Sequence, residues 1–248
     1  MRPPGKRPEP LEIDIALHDV ASDELLASRK LTWEHVETAG APLDKYTDYR
    51  RLLDRKDIDA VIIATWDHAH CEIAVAACQA GKDLFVEKPL TLHPMEGHQI
   101  FRAVRQAGRI LQTGTQQRSY PHFIQAKERF IDSGRIGRVT MVRTIWNGNL
   151  AYRIQAPPPG METKPAGLDW DVCQGRLKKV PWDPRRYFNH YVYWDYSTNA
   201  QMGGLFVHLV DVVHWYLKAG RPLAASCMGG IYLERGGRDT ADNINAIV

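Results

Sequence analysis

Three short apolar runs, Ala60–Ala64, Asp83–Val86 and Ile110–Thr113, are separated by two segments of helical length, and each of those segments closes on a glycine, Gly81 and Gly108. The run Ala-Val-Ile-Ile-Ala has no polar alternation, so both of its faces must be covered, as they are in a parallel sheet flanked by helices. Gly81 and Gly108 stand where a helix ends in the left-handed conformation that glycine adopts without steric cost. Parallel neighbours cannot be joined by a hairpin. They need crossovers through helices of about 10–15 residues, which are right-handed and give a doubly wound α/β sheet.

The remaining segments extend this pattern and then depart from it. Glu12–Val20 reads as a strand that passes through Asp19 near its carboxyl end, followed by helical segments over Ser22–Ala39 and Thr47–Asp54. Cys71–Ala80 and Met95–Ala107 read as the crossover helices. After Tyr120 come a helix over His122–Ser133 closed by Gly134, a strand over Arg138–Trp146, and an excursion rich in Pro, Gly, Trp and Tyr over Asn147–Asn199. A helix over Gly204–Ala219 and strands over Ala224–Glu234 and Asn243–Val248 follow. The change of pattern divides the chain near residue 120 into an alternating α/β domain over residues 1–120 and an α+β domain over residues 121–248. Ordered irregular stretches such as the excursion are often where sites are built.

Composition narrows the function classes. The formal charge of the 248 residues is only +3, without a dense basic block or interleaved stacking aromatics, so an electrostatic footprint for nucleic acid is missing. No run approaches the roughly 18 apolar residues that a membrane span needs. Cys71, Cys78, Cys173 and Cys227 form no CxxC pair and read as thiols of a reducing compartment, so a cytoplasmic protein is expected. The leading MRPPGKRPEP has basic residues but no apolar core behind them, unlike a secretory signal.

The chemistry-bearing residues gather at the expected carboxyl ends of the strands, where an open α/β sheet binds its ligands. Asp19 stands where such a sheet places the acid that accepts adenosine ribose hydroxyls, or it caps a helix. Ala64-Thr65-Trp66-Asp67-His68-Ala69-His70 follows the next strand and offers a hydroxyl, a carboxylate and two imidazoles; capping by Asp67 and solvated histidines are the plainer alternative. Glu87-Lys88-Pro89 follows the third. A lysine beside a partly buried carboxylate can have its proton affinity tuned, and the proline permits a cis peptide that directs it; as a bare tripeptide it is common on surfaces. His208, Asp211 and His214 share a helix at i, i+3 and i+6, which is not the i, i+4 spacing of a histidine metal pair.

Taken in order, Asp19 after its strand, Ala-Thr-Trp-Asp-His-Ala-His (64–70), Val-Glu-Lys-Pro-Leu (86–90), Gly-Thr-Gln-Gln-Arg (114–118), Gly-Arg-Ile-Gly-Arg-Val (134–139) and His-Leu-Val-Asp-Val-Val-His-Trp (208–215) resemble the Gfo/Idh/MocA oxidoreductases. The resemblance implies a Rossmann-like domain that binds NAD, with NADP disfavoured because the Asp19 carboxylate repels a 2′-phosphate. It also implies an α+β domain whose open sheet covers the nicotinamide and holds a sugar, cyclitol or related polyol. By the same resemblance Asp19, Ala64, Thr65, Asp67, His70, Glu87, Lys88, Pro89 and Gln116 contact the cofactor. Lys88, Arg118, Tyr196 and His208 face the substrate, and Lys88 and His208 are the catalytic pair. No metal is implied, and full-length relatives are homo-oligomers.

The chain departs from the family at two points. Many members carry an aspartate four residues before the histidine, where this chain has Gly204. The family also begins with a strand and a glycine-rich turn, whereas this sequence starts at what would be the second strand and stops in an early strand of the second sheet. The expectation is therefore a Rossmann-like sheet without its first strand and an incomplete second domain. An NAD-dependent sugar or polyol oxidoreductase stands against two competing readings. One is a non-catalytic sugar- or partner-binding fragment or descendant of the family. The other is a metal-dependent sugar isomerase built on His208, Asp211 and His214.

Overall fold

A computed structural model describes residues 44–146, 154–233 and 236–248, together with the backbone of residues 11–18 and 25–33. The parallel sheet expected from the apolar runs is present. Strands β3 (Ala60–Ile63), β4 (Asp83–Val86) and β5 (Leu111–Thr113) lie in the order β3-β4-β5 with every pairing parallel. Helix α2 (Asp67–Gln79) joins the first pair and α3 (Pro94–Ala107) the second. This is an α/β, Rossmann-like arrangement. Helix α1 (Tyr49–Leu53) precedes it, with the Asp48 carboxylate accepting from the Arg50 N–H at 2.9 Å.

The sequence explains how α2 and α3 sit. Ala74, Ala77, Cys71 and Cys78 are buried against Ile63, Leu84 and Val86, so α2 meets the sheet through small side chains that permit close approach. Gly81 and Gly108 take φ of 77° and 61° where the two helices end. Lys82, one residue past that turn, is buried and donates to the carbonyl of Ile58 at 2.8 Å and to that of Arg55. Its ammonium therefore ties the loop before β3 to the start of β4. Glu96 is buried in the first turn of α3, accepts from the N–H groups of Leu92 and His93, and pairs with Arg176 of the excursion.

Three expectations are corrected. The segment read as a helix over Ser22–Ala39 contains strand β2 (Leu25–Trp33), which pairs antiparallel with β1 (Leu11–His18) in register from Leu11 opposite Trp33. β1 is a strand, as read, but lies in this hairpin and not in the parallel sheet; a neighbouring segment is the partner with the smallest loop-closure cost. Residues 138–146 form no strand: Met141 and Ile145 are more than two-thirds exposed, and no strand among the described residues pairs with them. β-propensity without a partner does not make a strand.

Beyond β5, a 3₁₀ turn over Gln116–Ser119 leads into α4 (Pro121–Ala126), which continues as a π-helical turn over Lys127–Asp132. The excursion is ordered where described. It contains α5 (Trp170–Gln174), α6 (Pro184–Phe188) and a 3₁₀ turn over His190–Val192, packed around a second apolar cluster of Trp170, Val192, Tyr193 and Tyr196. A π-helical segment over Asn199–Phe206 runs into α7 (Val207–Leu217), and β6 (Ser226–Gly230) pairs antiparallel with β7 (Asn243–Ile247). No described helix is long and apolar enough to cross a membrane.

Candidate functional site at the carboxyl edge of the parallel sheet

The strand-end motifs meet along one edge, as parallel pairing requires. Glu87 N donates to Ile63 O at 2.9 Å and Gly114 N donates to Val86 O at 2.8 Å, so Ala64-Thr65, Glu87-Lys88 and Gly114 leave the sheet side by side. Gly114 has a definite reason to be glycine. A Cβ there would lie 2.9 Å from Glu87 Oε2 and 3.2 Å from Glu87 Cα, so a larger residue would push the Glu87 backbone away from its neighbour. Glu87 Oε2 in turn accepts from the Lys88 N–H at 3.2 Å, and the Lys88–Pro89 peptide is cis, as the sequence allowed.

Lys88 reaches across to the other half of the chain, where its Nζ donates to the Gly204 carbonyl at 2.8 Å. That carbonyl belongs to the π-helical segment, whose wide turns shift backbone acceptors away from α-helical partners. The segment is held at its start as well. Asn199, at φ 74°, accepts from Gln201 N at 2.8 Å, and Asp67 Oδ2 accepts from Thr198 N at 3.0 Å and Thr198 Oγ1 at 3.3 Å. Gly203 lies so close that a Cβ would fall inside the Thr198 hydroxyl, at 1.6 Å. Asp67 therefore positions the helix that carries the histidine.

His208 sits one turn beyond Gly204, buried to 5% exposure, with its Nδ1 buried and without a hydrogen-bond partner among the described residues. Burial and then the nearby Lys88 charge hold its proton affinity below the ordinary histidine value, while Asp211 and Glu87 act in the opposite sense. The imidazole is accordingly neutral near pH 7 with an unused ring nitrogen. A buried nitrogen without a partner is costly unless something else occupies it. Lys88 and His208 thus come together from positions far apart in the sequence.

Other candidates land elsewhere. His70 is buried between the two strand ends, its Nδ1 2.8 Å from Pro89 O and its Nε2 3.0 Å from Thr65 O, so the ring nitrogen that carries the hydrogen donates to one of these carbonyls and the ring is wedged between the two loops. Arg118 grips the Asp211 carboxylate through Nε at 2.6 Å and Nη2 at 2.8 Å. Tyr196 is 1% exposed within the aromatic cluster, where burial pushes its hydroxyl's pKa up. Ala64, Thr65 and Gln116 are on the exposed rim and Pro89 is buried. Asp19 lies outside the described residues. His208, Asp211 and His214 are not assembled around a common point: Asp211 is held by Arg118, and His214 Nδ1 lies 3.1 Å from Ala219 O. Among the described residues no cluster of histidine, cysteine and carboxylate groups suits a metal ion.

Sequence reasoning missed the aromatic joint beside this edge. Trp66 stacks on His190 at 4.3 Å between ring centroids and 11° between planes, while His68, Trp170, Tyr187 and Tyr196 meet it edge-on. Only the density of aromatics in the excursion hinted at it. Burial lowers the proton affinity of both His68 and His190 from the ordinary 6.5, against the opposing pull of Asp67 and of backbone carbonyls. The unfolded chain therefore takes up protons at a higher pH than the folded one, and stability is present above 6.5 and lost as pH falls below it. The urea midpoint is expected to be lower at about pH 5 than at about pH 8, and His68→Gln to flatten that dependence. A midpoint that rises toward acid would contradict the assignment.

Comparison with known proteins agrees with this geometry. Residues 13–115 match the profile of the GFO_IDH_MocA group, described as an oxidoreductase family with an NAD-binding Rossmann fold. An inositol 2-dehydrogenase of Salmonella paratyphi B is 28% identical over 187 residues, which are 72% of this chain and 43% of that protein. Among solved structures, an oxidoreductase domain protein from Kribbella flavida superposes with a TM-score of 0.59 at 25% identity, over 81% of this chain and 47% of its own. A levoglucosan dehydrogenase solved with NADH and levoglucosan shares the fold at a TM-score of 0.54 and 22% identity, over 81% of this chain and 47% of its own. The chain spans less than half the length of these relatives. The ordered motifs, the parallel sheet and the profile match over residues 13–115 agree in making this part of the chain similar to the Gfo/Idh/MocA oxidoreductases.

Proposed function

We propose that this chain contributes the nicotinamide-side half of an NAD-dependent dehydrogenase site acting on a CH–OH carbon of a sugar, cyclitol or related polyol. The observation that carries the proposal is the juxtaposition of Lys88 Nζ, seated on Gly204 O, with a buried His208 whose Nδ1 has no partner among the described residues, at the carboxyl edge of a parallel sheet. Those residues suit the redox end of a nicotinamide cofactor. The exposed rim at Ala64 and Thr65 leaves the sheet edge open to one, and the Glu87–Gly114 contact keeps two strand ends flush beneath it. Asp19, proposed for the adenosine ribose, lies outside the described residues.

When bound, the nicotinamide supplies or accepts the hydride. This chain's residues handle the proton. Hydride leaves a carbinol carbon only as its hydroxyl loses a proton, so a base must stand within hydrogen-bond reach. His208 is kept neutral by burial and by the Lys88 charge, and its free Nδ1 can take that proton. Lys88 spends one N–H on Gly204 O, which fixes the direction of its ammonium, and its other N–H groups can polarise the reacting oxygen. Glu87 orients the Lys88 backbone, and Asp67 holds the start of the helix that presents His208.

The test is direct. NADH added to the purified chain is expected to show enhanced fluorescence on binding, and inositols and aldoses screened with NAD are expected to include a substrate that yields NADH. Carbohydrate binding unaffected by nicotinamide would overturn this reading in favour of a non-catalytic sugar-binding descendant.

A further inference from the structure

Arg118 was expected at the substrate, and the structure gives it a different partner. It lies in the 3₁₀ turn that follows β5, two residues beyond Gln116 and four beyond Gly114, whose contact with Glu87 fixes the strand end beside Lys88. Its guanidinium forks onto both oxygens of Asp211, at 2.6 and 2.8 Å, with the Asp211 side chain only 18% exposed. Paired, planar, partly buried contacts of this kind fix geometry as well as charge. Asp211 lies on α7 three residues after His208, one turn further on, and the same turns of α7 are held on the same side by two more contacts. The Trp215 ring lies beneath Arg118 at 5.8 Å and Lys127 at 5.7 Å, and Tyr216 Oη donates to Phe123 O at 2.6 Å.

We propose that Arg118 and Asp211 form a positioning clamp that locks α7 to the β5 strand end and thereby sets His208 opposite Lys88, so that Arg118 acts through the histidine and not on the substrate. The proposal rests on His208 being the proton acceptor. Among the described residues the charged groups around His208 are Lys88 and Glu87 from the β4 end and Asp211 from its own helix; the Trp146 ring lies 6.3 Å away and is uncharged. Arg118 reaches this set only through Asp211. The clamp therefore has an electrostatic signature as well as a mechanical one: Asp211 favours protonated His208, and Arg118 offsets Asp211.

The experiment combines NMR titration of His208, assigned with His208→Gln, and steady-state kinetics on the full chain. Asp211→Asn is expected to move the His208 titration to lower pH, and Arg118→Ala to move it to higher pH. Arg118→Lys keeps the charge and loses the fork, so it should leave the titration in place. All three are expected to lower kcat by roughly 10- to 100-fold, with KM for the polyol and NADH affinity changed less than about twofold. Titration shifts of the same sign in Asp211→Asn and Arg118→Ala, or none, would overturn the clamp. So would a rise in KM confined to the Arg118 variants, which would return Arg118 to the substrate. If the unsubstituted chain turns over no polyol, the dehydrogenase reading fails, and the opposed titration shifts still decide the clamp. Arg118→Gln, which removes the charge and keeps most of the side chain, gives the opposed shift should Arg118→Ala not fold.

Discussion

On the proposed dehydrogenase reading, Lys88→Met is expected to lower kcat by about a hundred- to ten-thousand-fold, the range for losing a positioned proton-transfer group. Methionine keeps most of the aliphatic stem and removes the cation, so the sheet edge and the packing of Pro89 should survive. Two effects combine. The reacting oxygen loses a donor, and the Gly204 carbonyl loses the N–H that reaches it at 2.8 Å. A third consequence separates a catalytic lysine from a structural tie. The Lys88 charge opposes protonation of His208, so without it the histidine's proton affinity rises and the acid limb of the kcat/KM profile moves to higher pH. Turnover within about threefold of the original would reduce Lys88 to a tie between two segments.

The largest expected effect on stability is in the excursion. Trp170→Ala should cost about 3–5 kcal/mol, as truncation of a well-packed buried aromatic does, against a total of roughly 5–15 kcal/mol for a folded domain. Trp170 is 5% exposed, its Nε1 donates to Val180 O at 2.9 Å, and its ring meets those of Trp182, Tyr187, Tyr196 and Trp66 at 5.4 to 6.4 Å. Trp170→Phe keeps most of the buried area and orphans the Val180 carbonyl, for an expected cost of about 1–3 kcal/mol. Urea denaturation monitored by far-ultraviolet circular dichroism gives both numbers from midpoints at constant slope. A cost under about 1 kcal/mol for the alanine variant would mean that the excursion is draped over the sheet without forming a core.

The parallel sheet was legible because its determinants are local. Apolar runs of strand length and glycines at two helix ends place β3, β4 and β5 within a residue or two of where they are found. The pairing of Lys88 with the His208 helix came from the order of motifs. What was illegible depends on partners distant in sequence. Nothing near Arg118 indicates Asp211, 93 positions away, and nothing near His70 shows that Pro89 O and Thr65 O will flank its ring. The resemblance put Tyr196 at the substrate, yet its ring completes a core whose other members are spread over the excursion. The alternation at 138–146 promised a strand, but a strand exists only where another backbone accepts its hydrogen bonds.

The π-helical stretch ahead of α7 makes the spacing within residues 199–206 a matter of count. Such a turn holds one residue more than an α-helical turn. Removing one residue there would let the helix regularise and rotate everything before it by about 100° relative to His208. Asp67 fixes one end through Thr198, and Lys88 touches the interior at Gly204. The segment can exchange side chains while its geometry persists, but it cannot change length without unseating either the lysine or the histidine. Homologues that keep both groups are thus expected to vary here in residue type and to match in number.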